Sequence, residues 1–299
     1  MDARTETLPE PTVPRAGICL GSNIEDYPGG IVLVIDKPLR WTSADVIRKV
    51  KWAAIHHFGK KNLKVGHAGT LDPLATGVLL VCIGPATKLA EQLHRSDKEY
   101  VAGVTFGATT PSYDLEKDID ARFPYEHIDE SSVRGACGGF LGEQDQVAPL
   151  FSAKSVDGIR VYEIARKAYK AGQPIPDDVL TASRICIDEC ELLGFTPAAP
   201  VTQSRPAGGN PAASESGTEV SKASSRINLA ADDLSLPHAR IRLSCSKGTY
   251  VRAFARDLGE ALGSGAYLNS LRRTRSGRFS IDDAMTVDEA MALLARTSD

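Results

Sequence analysis

The sequence lacks any segment that could span a membrane or direct the chain across one. None of the apolar runs in its 299 residues approaches the roughly 20 residues that a transmembrane helix requires. Residues 1–26 are acidic and contain prolines, but they include neither the apolar stretch of a secretory signal nor the arginine-rich pattern of a transit peptide. We therefore expect a cytoplasmic protein with no membrane partner.

The sequence also lacks the motifs of metal and nucleotide sites. Its six cysteines include no Cys-x-x-Cys pair, and Cys186 and Cys190 have no second pair at the spacing that zinc needs. These two lie in an alternating run typical of a strand, which favours reduced thiols on strand faces. No phosphate-binding loop or dinucleotide fingerprint is present. We expect no metal and no cofactor.

Positive charge is not in excess, but it is concentrated. The net charge is −3, which alone does not indicate nucleic-acid binding. Residues 36–64 nevertheless hold eight Lys or Arg and two acids, and residues 240–278 hold nine and two. Such segregation is typical of a positive face on an acidic body. The same charges could equally lie on solvated helix faces, and composition does not decide between these interpretations.

The periodicity of apolar residues predicts mixed strands and helices without the regular alternation of a doubly wound sheet. With 42% hydrophobic residues, the chain can form a globular core. Strands are predicted at residues 31–35, 78–83, 100–106, 184–195 and 238–245. Helices are predicted after Thr42, from Pro85 to Leu93, and at residues 161–169, 250–262 and 284–295.

Two segments are predicted to lie outside the packed body. Residues 1–28 have the composition of a flexible leader. Residues 197–236 are rich in Ala, Ser, Gly, Pro and Asn and poor in large apolar residues, which predicts a disordered insertion between two strands. Such an insertion is tolerated because closure entropy grows only slowly with loop length.

The stretch most suggestive of chemistry is Gly66-His-Ala-Gly-Thr-Leu-Asp-Pro-Leu-Ala-Thr-Gly77. Its glycines allow the backbone to approach a ligand closely. Pro73 restricts Asp72 to extended geometry, so this carboxylate lies on a turn between secondary elements. Such a position suits a nucleophile or a base. An Asp-Pro pair in a loop is more often a simple turn.

Two basic stretches follow. Cys245-Ser-Lys-Gly-Thr-Tyr-Val-Arg252 leads from a strand into a helix, where Arg252 could hold a carboxylate in its ionised form. It could also be an ordinary surface arginine. Leu271-Arg-Arg-Thr-Arg-Ser-Gly-Arg278 carries four arginines in eight residues, which suits phosphate contact or a solvated basic strand.

Together these segments resemble the TruB family of tRNA pseudouridine synthases, and the matching motifs occur in the family's order. Besides the three stretches above, the matches are Asp36-Lys-Pro-Leu-Arg-Trp-Thr-Ser43, Lys98-Glu-Tyr100, Gln146-Val-Ala-Pro-Leu-Phe-Ser-Ala153 and Asp157-Gly-Ile-Arg-Val-Tyr-Glu-Ile-Ala-Arg166. The sequence departs from the family pattern where Arg40 replaces a glycine, Ala148 a proline and Phe151 a tyrosine. The resemblance covers about residues 30–279 without the insertion.

The resemblance implies an α+β pseudouridine-synthase fold, in which a mixed, mainly antiparallel sheet carries flanking helices and an RNA-binding cleft. Residues 29–299 would form one catalytic domain, without the C-terminal PUA domain of many relatives. The implied reaction isomerises uridine 55 in the TΨC loop of tRNA, after the base is flipped from its stack. The implied partner is the T arm of tRNA, with no obligatory protein partner and a monomeric enzyme.

The resemblance also assigns roles to single residues. Asp72 would be the catalytic aspartate, with Arg252 as its ion-pair partner. His67 would pack against the T loop near the flipped base, and Tyr100 would stack on the target base. The other substrate or RNA contacts would be Tyr250, Leu271, Lys37, Arg272 and Arg273. The segment from Gln146 to about Pro176 would close over the RNA.

Three alternatives remain at this stage. A nucleosidase or glycosidase could use Asp72 for C–N cleavage, but it would usually need a second carboxylate, and none is close to Asp72 in sequence. A non-catalytic RNA-binding protein could retain the fold, although Asp72, Tyr100 and Arg252 are all present. A guide-RNA-dependent synthase would rely on a PUA domain and partner proteins.

Overall fold

The computed structural model describes residues 9–149, 155–156, 159–160, 182–199 and 227–295. The strands are β1 (Ile31–Lys37), β2 (Val65–Ala68), β3 (Ala75–Ile83), β4 (Lys98–Phe106), β5 (Ala108–Thr109), β6 (Ala121–Arg122), β7 (Gly142–Val147), β8 (Ser155–Val156), β9 (Ile159–Arg160), β10 (Ala182–Thr196), β11 (His238–Cys245), β12 (Ala266–Ser276) and β13 (Phe279–Ser280). The helices are α1 (Ser43–Phe58), α2 (Ala90–Arg95), α3 (Glu130–Gly138), α4 (Val251–Ala261) and α5 (Val287–Leu293).

A nine-stranded mixed sheet organises the described part of the chain. Its main order is β1-β3-β12-β4-β11-β10-β7, with β2 paired to β3 and β13 paired to β12. The pairing of β3 with β12 is parallel, and the other pairings in this sheet are antiparallel. Two small two-stranded sheets, β5-β6 and β8-β9, lie outside it.

Apolar packing on both faces explains why β1 and β3 are continuous hydrophobic runs. In β1, Ile31, Leu33 and Ile35 join the core on one side of the sheet, while Val32 and Val34 join a smaller core on the other. Side chains of a strand alternate between its faces, so a strand covered on both sides needs apolar residues throughout. The strands predicted from these runs are confirmed.

Helix α1 begins where its sequence predicts. The Thr42 hydroxyl accepts a hydrogen bond from the backbone N–H of Asp45 at 3.0 Å, and the Asp45 carboxylate accepts one from the backbone N–H of Thr42 at 3.0 Å. This reciprocal cap satisfies two donors that the first helical turn leaves free. Gly59, with φ of 63°, ends the helix. Its buried face then packs on the sheet through Val46 and Val50.

The predicted flexible leader is corrected by the structure from residue 9 onward. Thr12 pairs with β1: its N–H donates to the carbonyl oxygen of Gly30, and its own carbonyl oxygen accepts from the N–H of Val32, both at 2.9 Å. Ile24 is buried in the main core. The segment is polar overall, so its composition does not indicate the few residues that anchor it to the sheet and the core. Residues 1–8 lie outside the described part.

The predicted insertion at residues 197–236 is corrected in the same way. One carboxylate oxygen of Asp232 accepts hydrogen bonds from the Thr105 hydroxyl at 2.9 Å and the Tyr267 hydroxyl at 2.7 Å. Leu236 is buried, and the N–H of Ala199 donates to the carbonyl oxygen of Ser235 at 3.0 Å. The described C-terminal part of the segment therefore packs on the sheet, and its N-terminal part is hydrogen-bonded to it. Residues 200–226 lie outside the described part.

The helix predicted at residues 161–169 and most of the segment expected to close over RNA also lie outside the described residues. Among the residues that are described, no helix is long and apolar enough to cross a membrane.

Candidate active site

Asp72 lies in the short loop between β2 and β3, and buried contacts fix this loop. The backbone N–H of Leu71 donates to the Ser43 hydroxyl at 2.9 Å, and that hydroxyl donates back to the carbonyl oxygen of Leu71 at 3.1 Å. Gly77 has φ of 98°, and a Cβ there would lie 2.2 Å from the carbonyl oxygen of Arg273. Only glycine therefore fits where the loop enters β3.

Lys37 and Arg273, expected to contact RNA, are buried and support the same loop. Lys37 donates to the carbonyl oxygens of Pro38, Trp41 and Pro73, the last directly after Asp72. Burial lowers the pKa of Lys37 to about 7. Arg273 donates to the carbonyl oxygens of Val78 at 2.7 Å and Gly69 at 3.1 Å. Both side chains are buried, and these donors bind backbone carbonyls, while the predicted RNA contacts stay a prediction.

The predicted pair of Asp72 and Arg252 is present. Nε of Arg252, in the first turn of α4, donates to Oδ2 of Asp72 at 2.8 Å. The Arg252 side chain is 6% exposed and the Asp72 side chain 40% exposed. Burial opposes the charge of Arg252, but the nearby Asp72 and Asp114 carboxylates outweigh it and raise its pKa. Arg252 therefore remains charged where it contacts Asp72.

A second carboxylate, that of Asp114, also lies near Arg252. Oδ2 of Asp114 lies 3.8 Å from Nε of Arg252, and Nη1 of Arg252 donates to the carbonyl oxygen of Ser112 at 3.1 Å. Oδ1 of Asp114 accepts hydrogen bonds from the Ser112 hydroxyl at 2.6 Å and the backbone N–H of Glu116 at 3.0 Å. Burial raises the pKa of Asp114, and Arg252 opposes that rise.

Asp72 opens into a cavity of about 260 Å³. Its walls include Tyr100 from β4, Leu271 from β12 and Tyr250 at the start of α4. Tyr250 is held in place because Gln146 accepts from its backbone N–H at 2.8 Å and donates to its carbonyl oxygen at 3.2 Å. The remaining wall residues are Gly69, Thr70, Leu71, Ala75, His94, Lys98, Ser246, Gly248, Thr249, Val251, Arg252 and Arg273.

Burial favours the uncharged forms of Tyr100, His67 and His94 at the cavity. Burial raises the pKa of Tyr100, while the adjacent Arg273 guanidinium works in the opposite direction. Burial lowers the pKa of His67, and Arg273 and His94 lower it further. Nδ1 of His67 is buried and has no hydrogen-bond partner among the described residues. His67 lies on β2 beside the cavity, while His94 from α2 lines it.

Much of the basic charge that the sequence concentrates is paired with acids in the structure. Arg272, predicted to contact RNA, donates to both carboxylate oxygens of Asp36 at 2.8 and 3.2 Å. Arg242 contacts Glu189 and Glu191. Segregation along the chain therefore overstates the positive face, because acids from inside the basic segments (Asp36) and from outside them (Glu189 and Glu191) neutralise arginines.

The departure at Arg40 has a structural explanation. Arg40 has φ of 63°, a left-handed conformation that glycine adopts without strain and arginine does not. Its backbone N–H donates to the carbonyl oxygen of Pro73 at 2.9 Å. Its guanidinium donates twice to the carbonyl oxygen of Ile227, at 2.8 and 3.0 Å. The side chain thus anchors the packed end of the insertion beside the Asp72 loop.

Sequence reasoning missed Asp114, Ser112 and the support from Gln146. Asp114 follows a Thr-Thr-Pro-Ser-Tyr stretch that indicates only a turn. Gln146 occurs in a recognised motif, but nothing local indicates that it binds Tyr250. In the part of the chain that the structure describes, no group of three or more His, Cys, Asp or Glu side chains is arranged to hold a metal ion.

Comparison with known proteins identifies the family of the chain. The family model described as "TruB family pseudouridylate synthase (N terminal domain)" matches residues 56–201, and the model "tRNA pseudouridylate synthase B C-terminal domain" matches residues 252–299. The chain is 43% identical over 263 residues to a tRNA pseudouridine synthase B of Phocaeicola vulgatus, covering 88% of this chain and 92% of that protein. A protein with the same name from Deinococcus radiodurans is 39% identical, covering 86% of this chain and 77% of its own length.

Solved structures show the same fold. The crystal structure of a Cbf5-Nop10-Gar1 complex matches with a TM-score of 0.52 and 24% identity, over 86% of this chain and 53% of that chain. An archaeal box H/ACA sRNP Nop10-Cbf5 complex matches with a TM-score of 0.52 and 22% identity, over 98% and 61%. This chain thus spans less than two thirds of those solved chains. The expected α+β pseudouridine-synthase fold is confirmed, and the chain belongs to the TruB family of pseudouridylate synthases.

Proposed function

We propose that this chain isomerises uridine 55 in the TΨC loop of tRNA to pseudouridine, with Asp72 as the catalytic carboxylate. The observation that carries the proposal is the Asp72–Arg252 ion pair in a cavity walled by Tyr100. The relatives named tRNA pseudouridine synthase B support tRNA as the substrate.

The reaction needs an ionised carboxylate beside the ribose. Asp72 either attacks C1′ or removes the 2′ proton, and in both routes the N1–C1′ bond breaks. The detached uracil then rotates and C5 bonds to C1′, while the Asp72–C1′ bond breaks in the first route or the proton returns to C2′ in the second. C5 loses its proton and N1 gains one, so no electrons are gained or lost overall. Arg252 occupies one oxygen of Asp72, and among the described residues no other hydrogen bond reaches the carboxylate. The second oxygen can therefore act on the sugar.

The cavity must also accept a base taken out of the T-loop stack. Flipping a base costs a few kcal/mol. Tyr100 forms a wall of the cavity and offers an aromatic face, and stacking of a base on such a ring offsets about 1–3 kcal/mol of that cost. Leu271 and Tyr250 contribute further apolar surface around the base.

The position of Asp114 argues against a nucleosidase. A second carboxylate is near Asp72 in space, although none is near it in sequence. The Asp114 side chain is only 9% exposed and is occupied by Ser112 and Glu116. It supports Arg252 and does not line the cavity, so it is not placed to protonate a leaving base.

The direct test uses tRNA transcripts that carry tritium at C5 of uridine. The full chain should release tritium from a transcript with uridine 55 and leave pseudouridine there. A matched transcript with cytidine 55 should release none above background. Conversion at another uridine would contradict the assigned position. Release of free uracil without pseudouridine would instead show a nucleosidase, and binding without any conversion would show a non-catalytic RNA-binding protein.

A further inference from the structure

We propose that a lysine-lined cleft beside the active-site cavity binds the phosphate backbone of the substrate RNA. This lysine cleft lies between the C-terminal half of α1, the loop that follows it, and β2. Its polar and open wall positions are Lys51, Lys61, Asn62, Lys64, Gly66 and Thr87. The inference rests on the proposed function, since the occupant is the tRNA that supplies the target uridine.

The charge of the cleft fits a polyanion. Lys51, Lys61 and Lys64 are all exposed, the walls contain no acidic residue, and no described acid forms an ion pair with these three side chains. Lysines nearby in sequence differ in this respect: Lys49 pairs with Asp288 at 3.1 Å and Lys60 with Glu25 at 2.6 Å. Three like charges around one cleft repel each other unless an anion neutralises them.

Gly66 provides a second, independent observation. A Cβ added at Gly66 would meet no atom within 4 Å, and its φ lies outside the left-handed region. Neither packing nor backbone conformation within the described chain therefore requires glycine at this position. A glycine inside a strand weakens the strand and often marks the close approach of a ligand or another backbone. Its missing side chain keeps the floor of the lysine cleft open for RNA.

The lysine cleft and the catalytic cavity have wall residues that are close together along the chain. Gly66 precedes Gly69, a wall residue of the cavity, by three residues. Because a strand rises about 3.3 Å per residue, the two glycines are about 10 Å apart. One stem-loop can therefore place its target uridine in the cavity and neighbouring phosphates in the lysine cleft.

The chain offers a matched control at the far side of the sheet. Arg134 on α3 is also exposed, but it pairs with Glu130 at 2.6 Å. Helix α3 packs on β10, which is four strands from β3 in the sheet. Neighbouring strands lie about 4.8 Å apart, so this control is about 19 Å or more from the lysine cleft.

The experiment measures T-arm hairpin and tRNA affinity over a salt series for the full chain. The variants are the triple change Lys51→Gln, Lys61→Gln and Lys64→Gln, the single change Gly66→Ala, and the control Arg134→Gln. Each lost phosphate contact lowers the slope of log affinity against log salt by about 0.7–0.9. For the triple variant, the fall of log affinity with log salt should therefore be less steep by about two to three. Its affinity near 0.1 M salt should be about tenfold or more below that of wild type.

The remaining readouts separate this inference from the proposed function. The control Arg134→Gln should keep the wild-type affinity and single-turnover rate, while the triple variant should need about tenfold more enzyme to reach half its maximal rate. Gly66→Ala should keep the melting temperature but lower affinity severalfold. If the triple variant has the same salt slope and RNA affinity as Arg134→Gln, the proposal that the lysine cleft binds RNA is wrong, even if wild-type conversion is normal. Failure of wild-type conversion would overturn the proposed function, whereas a slope loss confined to the triple variant would still support RNA binding here.

Discussion

Replacing Arg252 by methionine should destabilise the fold as well as abolish activity. The variant leaves two carboxylates without their shared cation. The Asp72 side chain is 40% exposed, so water can solvate its charge. The Asp114 side chain is 9% exposed and has no such relief. Removing one partner of a buried ion pair costs about 3–5 kcal/mol, and we expect the lower end because only one carboxylate is deeply buried.

This loss should depend on pH, and the sign follows from Asp114. Burial already raises the folded-state pKa of Asp114, and Arg252 opposes that rise. Without Arg252, the folded-state pKa rises further above the unfolded value. A carboxyl with a raised folded-state pKa destabilises the fold above that pKa and has no effect below the unfolded pKa. The deficit of the variant should therefore be largest near pH 7 and shrink toward pH 4.

The assay is urea unfolding of wild type and variant at several pH values, with Arg242→Met as the control. Arg242 also contacts two carboxylates, Glu189 and Glu191, but these side chains are all 38–46% exposed. An exposed network of this kind contributes at most about 1 kcal/mol. A loss of about 3 kcal/mol in Arg252→Met should lower the melting temperature by about 6–12 °C. If both variants lose the same stability, or if the Arg252→Met deficit does not change with pH, this account of the buried pair is wrong.

Three further predictions concern the loop and the insertion. Arg40→Gly should be more stable than Arg40→Ala by about 1 kcal/mol in urea unfolding, because both lose the bonds to Ile227 but only glycine relieves the positive φ; equal stabilities would contradict this. Replacing residues 201–225 by a short Gly-Ser linker should change the melting temperature by no more than about 2 °C, whereas a deletion extended through residue 235 should lower it clearly because Asp232 is lost. Arg273→Met should reduce stability and single-turnover rate but leave the salt slope of tRNA binding unchanged; a smaller slope would restore Arg273 as a phosphate contact.

Local signals allowed much of the fold to be predicted from the sequence. The continuous apolar run of β1 and the Thr42 cap of α1 depend on residues close together in the chain, and both predictions are confirmed. Asp72 was singled out by its glycine-rich loop, and the resemblance paired it with Arg252. That pairing is observed, while its catalytic role stays a prediction.

Features that depend on tertiary contacts could not be predicted in this way. Asp114 supports Arg252 from 138 positions earlier in the chain, and no local pattern links them. Lys37 and Arg273 were expected to contact RNA, and nothing in the sequence indicated that buried backbone carbonyls in and around the Asp72 loop accept their hydrogen bonds. The packed end of the insertion is fixed by single residues such as Asp232, whose effect disappears in a composition averaged over the whole segment.

The central claim is that Asp72 performs the chemistry, and the variant Asp72→Asn tests it most directly. The change preserves size but removes the charge and the nucleophile. The measurement is single-turnover pseudouridine formation at saturating enzyme, with filter binding of the same tRNA in parallel. We expect no detectable conversion and an affinity within a few-fold of wild type, because phosphate contacts dominate binding. Conversion within tenfold of the wild-type rate would contradict the claim.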